Sequence, residues 1–215
     1  MPRAEVIGIA NGAFQENCYI LADADTRDAV LIDPGEEYEL FLDRLTSARF
    51  ALREIWLTHA HLDHVQGIAG VVRATGVPVS LHPLDHPLYE NAVQQGRWFG
   101  IEVDPPTPID RELADGDRLA VGGLEFEVRH VPGHSPGSVA FVGHGMAFVG
   151  DAVFAGSIGR VDLPGGDGQT LLASIRERLL TLPDDTVLHA GHGPETSVGT
   201  ERASNPFLTG AVKLV

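Results

Sequence analysis

Four side chains of types that bind transition metals, His59, His61, Asp63 and His64, fall within the single short segment 59–64. Imidazole and carboxylate together suit zinc, iron or manganese, and burying these groups without a metal would require many compensating hydrogen bonds. In an extended backbone the first two histidines project to the same side, whereas Asp63 and His64 lie where the chain turns into a predicted helix. The segment therefore predicts one loop that supplies ligands to two adjacent metal positions.

Three more candidate ligands follow, each at the end of a predicted strand. His134 stands between Gly and Pro turns in residues 131–138, as expected of a rigid loop that presents a ligand. Asp151 closes the apolar run at residues 146–150, where an ionised carboxylate is costly unless it is paired or binds a metal. His192 lies between two glycines, which let the backbone approach a site closely. Because α/β proteins place their sites at strand ends, we expect these residues to join the first segment.

The elements that must position these residues are short apolar runs alternating with helical patterns. Runs rich in Val, Ile and Leu predict strands at residues 5–10, 17–23, 29–33, 54–57, 77–82, 124–130, 139–143, 146–150 and 186–190. Helical periodicity with Gly or Pro punctuation predicts helices at residues 37–48, 65–75, 170–180 and 195–204. The fold class is therefore mixed α/β.

The predicted strands divide into two similar halves. Residues 29–33 and 146–150 each follow a pair of strands, and each apolar run ends at an aspartate. This pattern favours two related β-rich halves that face each other with helices outside, as in a layered sandwich. Nothing in the 215 residues resembles a linker, so we expect residues 1–215 to form a single domain.

Composition and charge disfavour several classes of function. The formal net charge of −15, from 15 Lys and Arg against 30 Asp and Glu, argues against nucleic acid as the main partner. No apolar run is long enough to cross a bilayer and no signal-peptide pattern is present, so we expect a cytoplasmic protein without membrane association. The single cysteine, Cys18, cannot form an internal disulfide. Bound divalent ions would offset the local negative charge and favour a small anionic substrate.

The order of the motifs carries a family resemblance. The patterns His-x-His-x-Asp-His, Pro-Gly-His, Gly-Asp and Gly-His-Gly, which span residues 59–193, resemble those of the metallo-β-lactamase superfamily. The resemblance implies an αββα four-layer sandwich that binds two divalent metal ions, with zinc expected and iron or manganese as alternatives. In this resemblance the ligands of one metal are His59, His61 and His134, those of the other are Asp63, His64 and His192, and Asp151 is shared.

A narrower similarity concerns residues 154–167, which most resemble compact bacterial proteins of the glyoxalase II, or hydroxyacylglutathione hydrolase, type. This similarity implies a hydrolase of glutathione thioesters such as S-lactoylglutathione. The implied nucleophile is a hydroxide that bridges the two metals and is oriented by Asp63. A thiolate leaves readily, so the reaction needs no separate general acid. Typical glyoxalase II enzymes carry an added C-terminal region that binds glutathione, whereas this sequence stops at Val215, and the substrate stays open.

Other residues with possible chemistry are interpreted individually. Arg160, in a Gly-rich loop after Asp151, is a candidate to bind a substrate carboxylate, and the alternative is a structural ion pair with a nearby acid. Asp33 is expected to hydrogen-bond the metal loop or a ligand imidazole, or else to form only a turn. Structural or surface roles are expected for His82, His86, His130, His144 and His189. For His189 the alternative is a ring N–H that orients His192.

Alternative activities use the same motifs. A persulfide dioxygenase would bind one iron through Asp151 and two histidines, and its family shares a Gly-Arg-x-Asp loop like residues 159–162. The histidine pair would be His59 with His61, or His59 with His134. A lactonase, a phosphodiesterase and a metal-binding module without catalysis are further hypotheses. The second-site cysteine of several zinc β-lactamases has no counterpart in these motifs, which disfavours antibiotic hydrolysis. Either a monomer or a small homo-oligomer fits the sequence.

Overall fold

The first half of the chain folds into a six-stranded mixed sheet. The structure, a computed structural model, describes residues 2–212. The strands of the first sheet, in spatial order, are β1 (Ala4–Asn11), β2 (Glu16–Asp23), β3 (Asp28–Ile32), β4 (Ala51–Trp56), β5 (Val79–Leu81) and β6 (Arg111–Glu112). The pairs from β1 to β3 are antiparallel, and those from β3 to β6 are parallel. The apolar run 18–22 in β2 is buried because this inner strand is covered on both faces of the sheet.

The second half forms another six-stranded sheet. Its first strands are β7 (Arg118–Val121), β8 (Leu124–His130), β9 (Val139–Gly143) and β10 (Met146–Gly150). A hairpin of β11 (Val153–Phe154) and β12 (Ser157–Ile158) follows, and the sheet is completed by β13 (Val187–Ala190) and β14 (Thr196–Ser197). The spatial order is β14-β13-β10-β9-β8-β7, with β10 and β13 parallel and the other pairs antiparallel. Each half predicted from the sequence therefore forms one sheet.

Helices cover the outer faces of the two sheets. The α-helices are α1 (Tyr38–Ala48), α2 (Leu62–Val65), α3 (Ile68–Thr75), α4 (His86–Glu90), α5 (Ala92–Phe99), α6 (Gly168–Ser174) and α7 (Val198–Ser204). A 3-10 turn covers Pro83–Asp85, and Ile175–Leu179 continues α6 in π-helical geometry. Phe41 of α1 and Val71 of α3 pack against the first sheet, and Leu171 of α6 packs against the second. Within residues 2–212, none of the helices combines the length and apolarity that a membrane span requires.

The layer between the two sheets is the central hydrophobic core. Trp56 of the first sheet contacts Phe141 of the second sheet, with ring centroids 5.3 Å apart, and all of both side chains is buried. Phe126, also of the second sheet, lies 6.1 Å from the same indole, edge to face. Aromatic pairs at such distances add to the free energy that burial of their apolar area contributes. With helices outside both sheets, the molecule is the αββα four-layer sandwich that the sequence predicted.

One predicted helix is divided in the structure. The pattern at residues 65–75 predicted a continuous helix, but α2 and α3 are separate, because the N–H of Gly67 bonds to the carbonyl of Pro34 instead of continuing the first helix. This bond ties the end of the histidine-rich loop to the segment that follows β3. The elements α4, α5, β6, β7 and the β11–β12 hairpin lie outside the predicted set.

The two C-terminal helical predictions also need correction. The helix predicted at residues 195–204 begins later, after β14, because Ser197 is extended and its side chain accepts a hydrogen bond from the N–H of Thr200. The pattern at residues 170–180 is one α-helix that passes into π-helical geometry. The apolar periodicity of these segments is real, but local hydrogen bonds set where each helix starts.

Parallel strand pairs bring the candidate loops to one edge of the sandwich. In the first sheet Ile32 pairs with Trp56, so the segments after β3 and β4 emerge side by side. In the second sheet Gly150 pairs with Ala190, so the segments after β10 and β13 also emerge together. A site built from strand ends can therefore draw side chains from both sheets at this edge.

Candidate metal centre

Three buried imidazoles from two loops form a first donor set. His59 and His61 come from the loop after β4, and His134 comes from the loop between β8 and β9. The Nε2 atom of His134 lies 3.1 Å from His59 Nε2 and 2.8 Å from His61 Nδ1. The exposed fractions of these residues are 1%, 6% and 2%. Three ring nitrogens therefore converge within 4.8 Å of one another in a nearly dry space.

A second donor set lies beside the first and combines a carboxylate with two imidazoles. It consists of Asp63, His64 and His192. Asp63 Oδ2 lies 3.2 Å from His192 Nε2 and 3.9 Å from His64 Nε2. Asp63 and His64 belong to α2, which begins directly after His61, so the start of the helix turns them away from the first set. The loop 59–64 thus supplies donors to two adjacent groups, which is the arrangement that its spacing predicts.

Asp151 stands between the two sets. Its Oδ1 atom is 3.4 Å from His64 Nε2, and its Oδ2 atom is 3.5 Å from His134 Nε2 and 3.6 Å from His192 Nε2. One carboxylate therefore reaches imidazoles of both sets. Among the described residues, His64 Nε2 and Asp151 Oδ1 are buried without a hydrogen-bond partner. A buried polar atom without a partner costs free energy in a dry interior. A pair of divalent ions bound by these two atoms would remove that cost. The residues present therefore fit metal ions with nitrogen and oxygen ligands.

Two imidazoles of the first set, those of His59 and His61, favour the neutral form in the metal-free protein. Burial lowers the pKa of His59, and the neighbouring histidines add to this effect. Burial and the nearby His134 lower the pKa of His61 to about 3. In a dry site the charged form of each ring is disfavoured, so the lone pairs stay free to bind a metal.

The second set carries charge. Burial alone would raise the pKa of Asp151, but His64 and His134 outweigh it and hold the pKa of this carboxyl well below its usual range. Burial also works against ionisation of Asp63, whose pKa is nevertheless lowered by His64 and His192. Conversely, Asp151 and Asp63 raise the pKa of His64 in spite of its burial. A metal bound by His64 must displace this proton, so metal uptake releases protons.

Asp33 supports both sets from behind. Its Oδ1 atom accepts a hydrogen bond from the N–H of Thr58 at 2.7 Å, and its Oδ2 atom accepts bonds from Thr58 Oγ1 at 2.5 Å and His64 Nδ1 at 3.1 Å. Thr58 Oγ1 in turn lies 3.1 Å from His59 Nδ1. The structure thus gives Asp33 both contacts expected from the sequence, to the loop backbone and to an imidazole. Both oxygens of Asp33 already accept hydrogen bonds from Thr58. Asp33 therefore orients the metal-binding side chains and is not itself counted as a ligand.

The backbone near the second-half donors is held by the start of β2. The N–H of Asn17 donates to the carbonyl of Gly191 at 2.8 Å, and its side-chain amide donates to the carbonyls of Ala190 and Gly193. The hydroxyl of Tyr19 also donates to the carbonyl of Ala190, at 2.7 Å. The first sheet therefore fixes the loop that carries His192.

These geometric findings agree with the sequence comparisons. Residues 11–192 match the family model of the Metallo-beta-lactamase superfamily. The chain belongs to this superfamily. It is 41% identical to hydroxyacylglutathione hydrolase GloC of Haemophilus influenzae over 200 residues, which cover 91% of this chain and 94% of that protein. Family membership and this relative support a metal-dependent hydrolase.

Two solved structures are closely similar to this chain. TTHA1623 in a di-iron-bound form superposes with a TM-score of 0.87 and 46% identity, covering 94% of this chain and all of that chain. BLEG-1, a B3 metallo-beta-lactamase, superposes with a TM-score of 0.90 and 38% identity, covering 95% of this chain and all of that chain. Both cover nearly the whole chain, so the superfamily fold extends through both halves of the sandwich.

The superfamily centre in this chain opens into a cavity of about 330 Å³. The donor residues that line the cavity are His61, Asp63, His134, Asp151 and His192. Its apolar wall consists of Phe14, Leu62, Phe99, Phe154, Ile158 and Leu163. At the mouth, Phe14 meets Phe99 edge to face with ring centroids 5.2 Å apart. A polar floor under an apolar wall is the usual form of a small-molecule site.

Arg160 lines the cavity as well, in an ion pair. Its guanidinium binds both carboxylate oxygens of Asp162, at 2.7 and 2.8 Å, and 57% of its side chain is exposed. The structural ion pair that the sequence left as an alternative is therefore present. The backbone carbonyl of Arg160 also lies 2.8 Å from His134 Nδ1 and accepts its N–H, which orients the ring.

His189 has the structural role expected from its sequence position. Its ring stacks on Phe148 at a centroid distance of 4.8 Å and meets Tyr19 edge to face at 5.3 Å. Its Nδ1 atom lies 3.0 Å from Glu195. These contacts place the ring in the packing beneath the loop, and the alternative role of orienting His192 is not supported.

Three buried polar residues near the donors were missed by sequence reasoning. Gln95 accepts from the N–H of Leu62 and donates to the carbonyl of Ala60. Glu16 accepts from the Asn11 amide at 2.7 Å, and its other oxygen lies 3.8 Å from His64 Nδ1. Asp85, just after β5, accepts bonds from both histidine loops. Only Asp85 carried a usable signal, since it is a carboxylate just beyond an apolar strand, like Asp151.

Proposed function

We propose that this chain is a binuclear metal-dependent thioester hydrolase that acts on glutathione thioesters such as S-lactoylglutathione. The observation that carries the proposal is the position of Asp151 between two convergent donor sets beside a largely apolar cavity. The identity to hydroxyacylglutathione hydrolase GloC supports the choice of substrate class.

The seven donors divide as the family resemblance implies. The proposed ligands of one metal are His59, His61 and His134, those of the other are Asp63, His64 and His192, and Asp151 is shared. Zinc is the proposed metal, and the similarity to a di-iron-bound structure makes iron the first alternative to test, with manganese after it. Two bound divalent ions would act as Lewis acids and lower the pKa of water towards neutrality.

The residues of the cavity then have distinct tasks. Asp63 is ionised and its side chain is 19% exposed towards the cavity, so it can accept a hydrogen bond from the attacking water and orient it. The aromatic and aliphatic wall excludes bulk water from the acyl group, which strengthens each electrostatic interaction inside. Arg160 is the proposed contact for a substrate carboxylate, which would exchange with or add to Asp162.

The ionisable groups that line the cavity favour a thioester over an amide. Among the described residues they are five of the proposed metal ligands and Arg160. No further acid is placed there to protonate a poor leaving group. A thiolate leaves without such help because a thiol is a much stronger acid than an amine. The absence of a dedicated acid therefore matches thioester chemistry.

A substrate screen on metal-loaded protein tests the proposal. S-lactoylglutathione, other acylglutathiones and acyl-coenzyme A thioesters are compared, with a lactone, a phosphodiester and a β-lactam as substrates of other superfamily chemistries. We expect the glutathione thioesters to give the highest kcat/KM. Turnover of none of the thioesters by fully loaded protein would refute the thioesterase. Oxygen consumption with glutathione persulfide by iron-loaded protein would instead establish the dioxygenase.

A further inference from the structure

Asp85 is a fully buried carboxylate at the end of the 3-10 turn after β5. Its Oδ2 atom accepts hydrogen bonds from the N–H of Ala60 at 3.0 Å and from Ser135 Oγ at 2.7 Å. Its Oδ1 atom accepts a bond from the N–H of Gly137 at 2.6 Å. All three partners are donors, so the residue acts as a pure acceptor, as an ionised carboxylate does.

The three donors belong to the two loops that carry the first donor set. Ala60 is the residue between His59 and His61, and Ser135 directly follows His134. The first loop leaves the first sheet and the second loop belongs to the second sheet. A single carboxylate therefore joins the loops that must meet for the three ring nitrogens to converge.

We propose that Asp85 is a positioning residue that holds the two histidine loops in register, so that the first donor set is assembled before a metal binds. The inference rests on the proposed metal centre but not on the identity of the substrate. Outer groups of this kind fix ligand orientation, and their loss typically weakens metal binding by about 10- to 100-fold.

The geometry explains why this position needs a carboxylate. In Asp85→Asn, turning the amide nitrogen towards Gly137 places two N–H groups face to face, and turning it the other way does the same at Ala60. The amide can therefore keep the bonds of Ala60 and Ser135 or the bond of Gly137, but it cannot accept from both backbone N–H groups. Space is equally restricted, since a Cβ on Gly137 would lie 2.7 Å from Asp85 Cγ. A side chain of another length cannot make the three contacts without moving a loop.

The opposite end of the sandwich offers a matched control. Asp23, at the far end of β2, is 1% exposed and accepts hydrogen bonds from the N–H groups of Gly123 at 2.7 Å and Asp25 at 2.9 Å. It joins the first sheet to the β7–β8 turn of the second sheet, as Asp85 joins two loops of the same sheets. Asp23→Asn removes the same chemistry without touching a donor loop.

The test measures Zn²⁺ affinity by competition with a chromogenic chelator, together with the Tm of the metal-free protein. Wild type, Asp85→Asn, Asp23→Asn and Ser135→Ala are compared. We expect Asp85→Asn to weaken the binding of one of the two Zn²⁺ equivalents by about 10- to 100-fold. Asp23→Asn is expected to lower the Tm while both affinities stay at the wild-type values. Ser135→Ala removes one of three bonds and is expected to weaken the same equivalent by a smaller factor.

Two results would overturn the inference, and they differ from failure of the metal centre itself. Wild-type affinity in Asp85→Asn, with a fall in Tm like that of Asp23→Asn, would make Asp85 a structural residue only. If Asp85→Asn does not fold, Ser135→Ala decides, and an unchanged affinity there contradicts the inference. A wild-type protein that binds no Zn²⁺ would refute the metal centre and the inference with it.

Discussion

The two donor sets of the centre lie side by side but differ in charge and access. The first, His59, His61 and His134, consists of imidazoles that are at most 6% exposed, and burial lowers the pKa of His59 and of His61. The second contains ionised Asp63, and the side chains of Asp63 and His192 are 19% and 29% exposed. His59 and His61 of the first set can therefore bind a metal without losing a proton, whereas His64 of the second set must exchange its proton for metal.

The difference has a source in the fold. In the first set, Asp85 accepts hydrogen bonds from both loops, and the carbonyl of Arg160 fixes the ring of His134. The second lies where α2 begins and where the loop after β13 meets the cavity. Both sets contribute residues to the cavity, and the more exposed second set includes Asp63, which is suited to orient the attacking water. Five changes of residue or pH test this difference between the two sets, and their expected effects decrease in the order given.

The largest effect is expected for Asp151→Ala, which removes the carboxylate between the sets. We expect hydrolysis to fall by at least about a thousandfold, because several kcal/mol of transition-state stabilisation depend on the metal pair and about 1.4 kcal/mol corresponds to a factor of ten. The measurement is kcat/KM of metal-loaded protein on the best thioester. Activity within tenfold of wild type would show that the sets work independently.

Asp33→Asn should weaken both sets, because Asp33 contacts His64 directly and reaches His59 through Thr58. We expect metal affinity to fall by about 10- to 100-fold, with the larger loss at the second set, where the contact is direct. Chelator competition provides the affinities. A loss confined to the first set would contradict the assignment of Asp33 as the partner of His64.

Acid should empty the second set first. The acidic neighbours raise the pKa of His64 and of His192, despite the opposing effect of burial, whereas the pKa of His61 lies at about 3. As the pH falls, protons therefore compete with metal for the second set while His59 and His61 stay neutral, at a cost of up to about tenfold in affinity per pH unit and titrating group. Metal content after dialysis at stepwise lower pH measures this. Simultaneous loss of both equivalents would contradict the difference between the sets.

Gly191→Ala should disturb the second set without removing a ligand. A Cβ at this position would lie 2.2 Å from Asp151 Oδ1 and 2.7 Å from the His64 ring. We expect the overpacking to cost about 1–3 kcal/mol of stability in the metal-free protein and to weaken one metal equivalent. Chemical denaturation and metal titration check the two effects. Unchanged binding of the second metal equivalent would show that the Asp151 side chain can move to accommodate the added methyl group.

The smallest effect is expected for Arg160→Ala. Because Arg160 is half exposed and already paired with Asp162, we expect KM for glutathione thioesters to rise by about three- to tenfold, that is by up to about 1.4 kcal/mol, with little change in kcat. Arg118→Ala is the matched control, since Arg118 is an exposed arginine paired with Glu125 away from the cavity. Equal KM values in both variants would remove Arg160 from substrate binding.

The sequence predicted the parts of this molecule that depend on local patterns. Four residues of metal-binding types lie together in residues 59–64, and three more lie singly at the ends of apolar strands. These residues could be predicted as ligands of one site because strand ends meet at one edge of the sandwich. Short apolar runs rich in Val, Ile and Leu predicted most of the strands and hence both sheets. The division of residues 65–75 depends on a hydrogen bond from Gly67 to the distant Pro34, which a local pattern does not contain, and the helical pattern at residues 170–180 did not distinguish α-helical from π-helical geometry.

The supporting residues were harder to predict for the same reason. Asp85 matters because Ala60, Ser135 and Gly137 come to it from 25 to 52 positions away along the chain. Glu16 and Gln95 likewise owe their roles to long-range packing around the donors. From their residue types alone, Glu16 and Gln95 would be predicted to lie at the surface. Only the folded chain brings them close to the metal-binding residues.

The central claim is that two metal sets share Asp151 in one centre. The most direct test is metal content per chain, by elemental analysis of protein purified without chelators, for wild type and for His192→Ala. The account predicts about two equivalents in wild type and about one in the variant, since His192 serves only the second set. One equivalent of iron in wild type, unchanged by His192→Ala, would contradict the binuclear centre and favour the mononuclear dioxygenase.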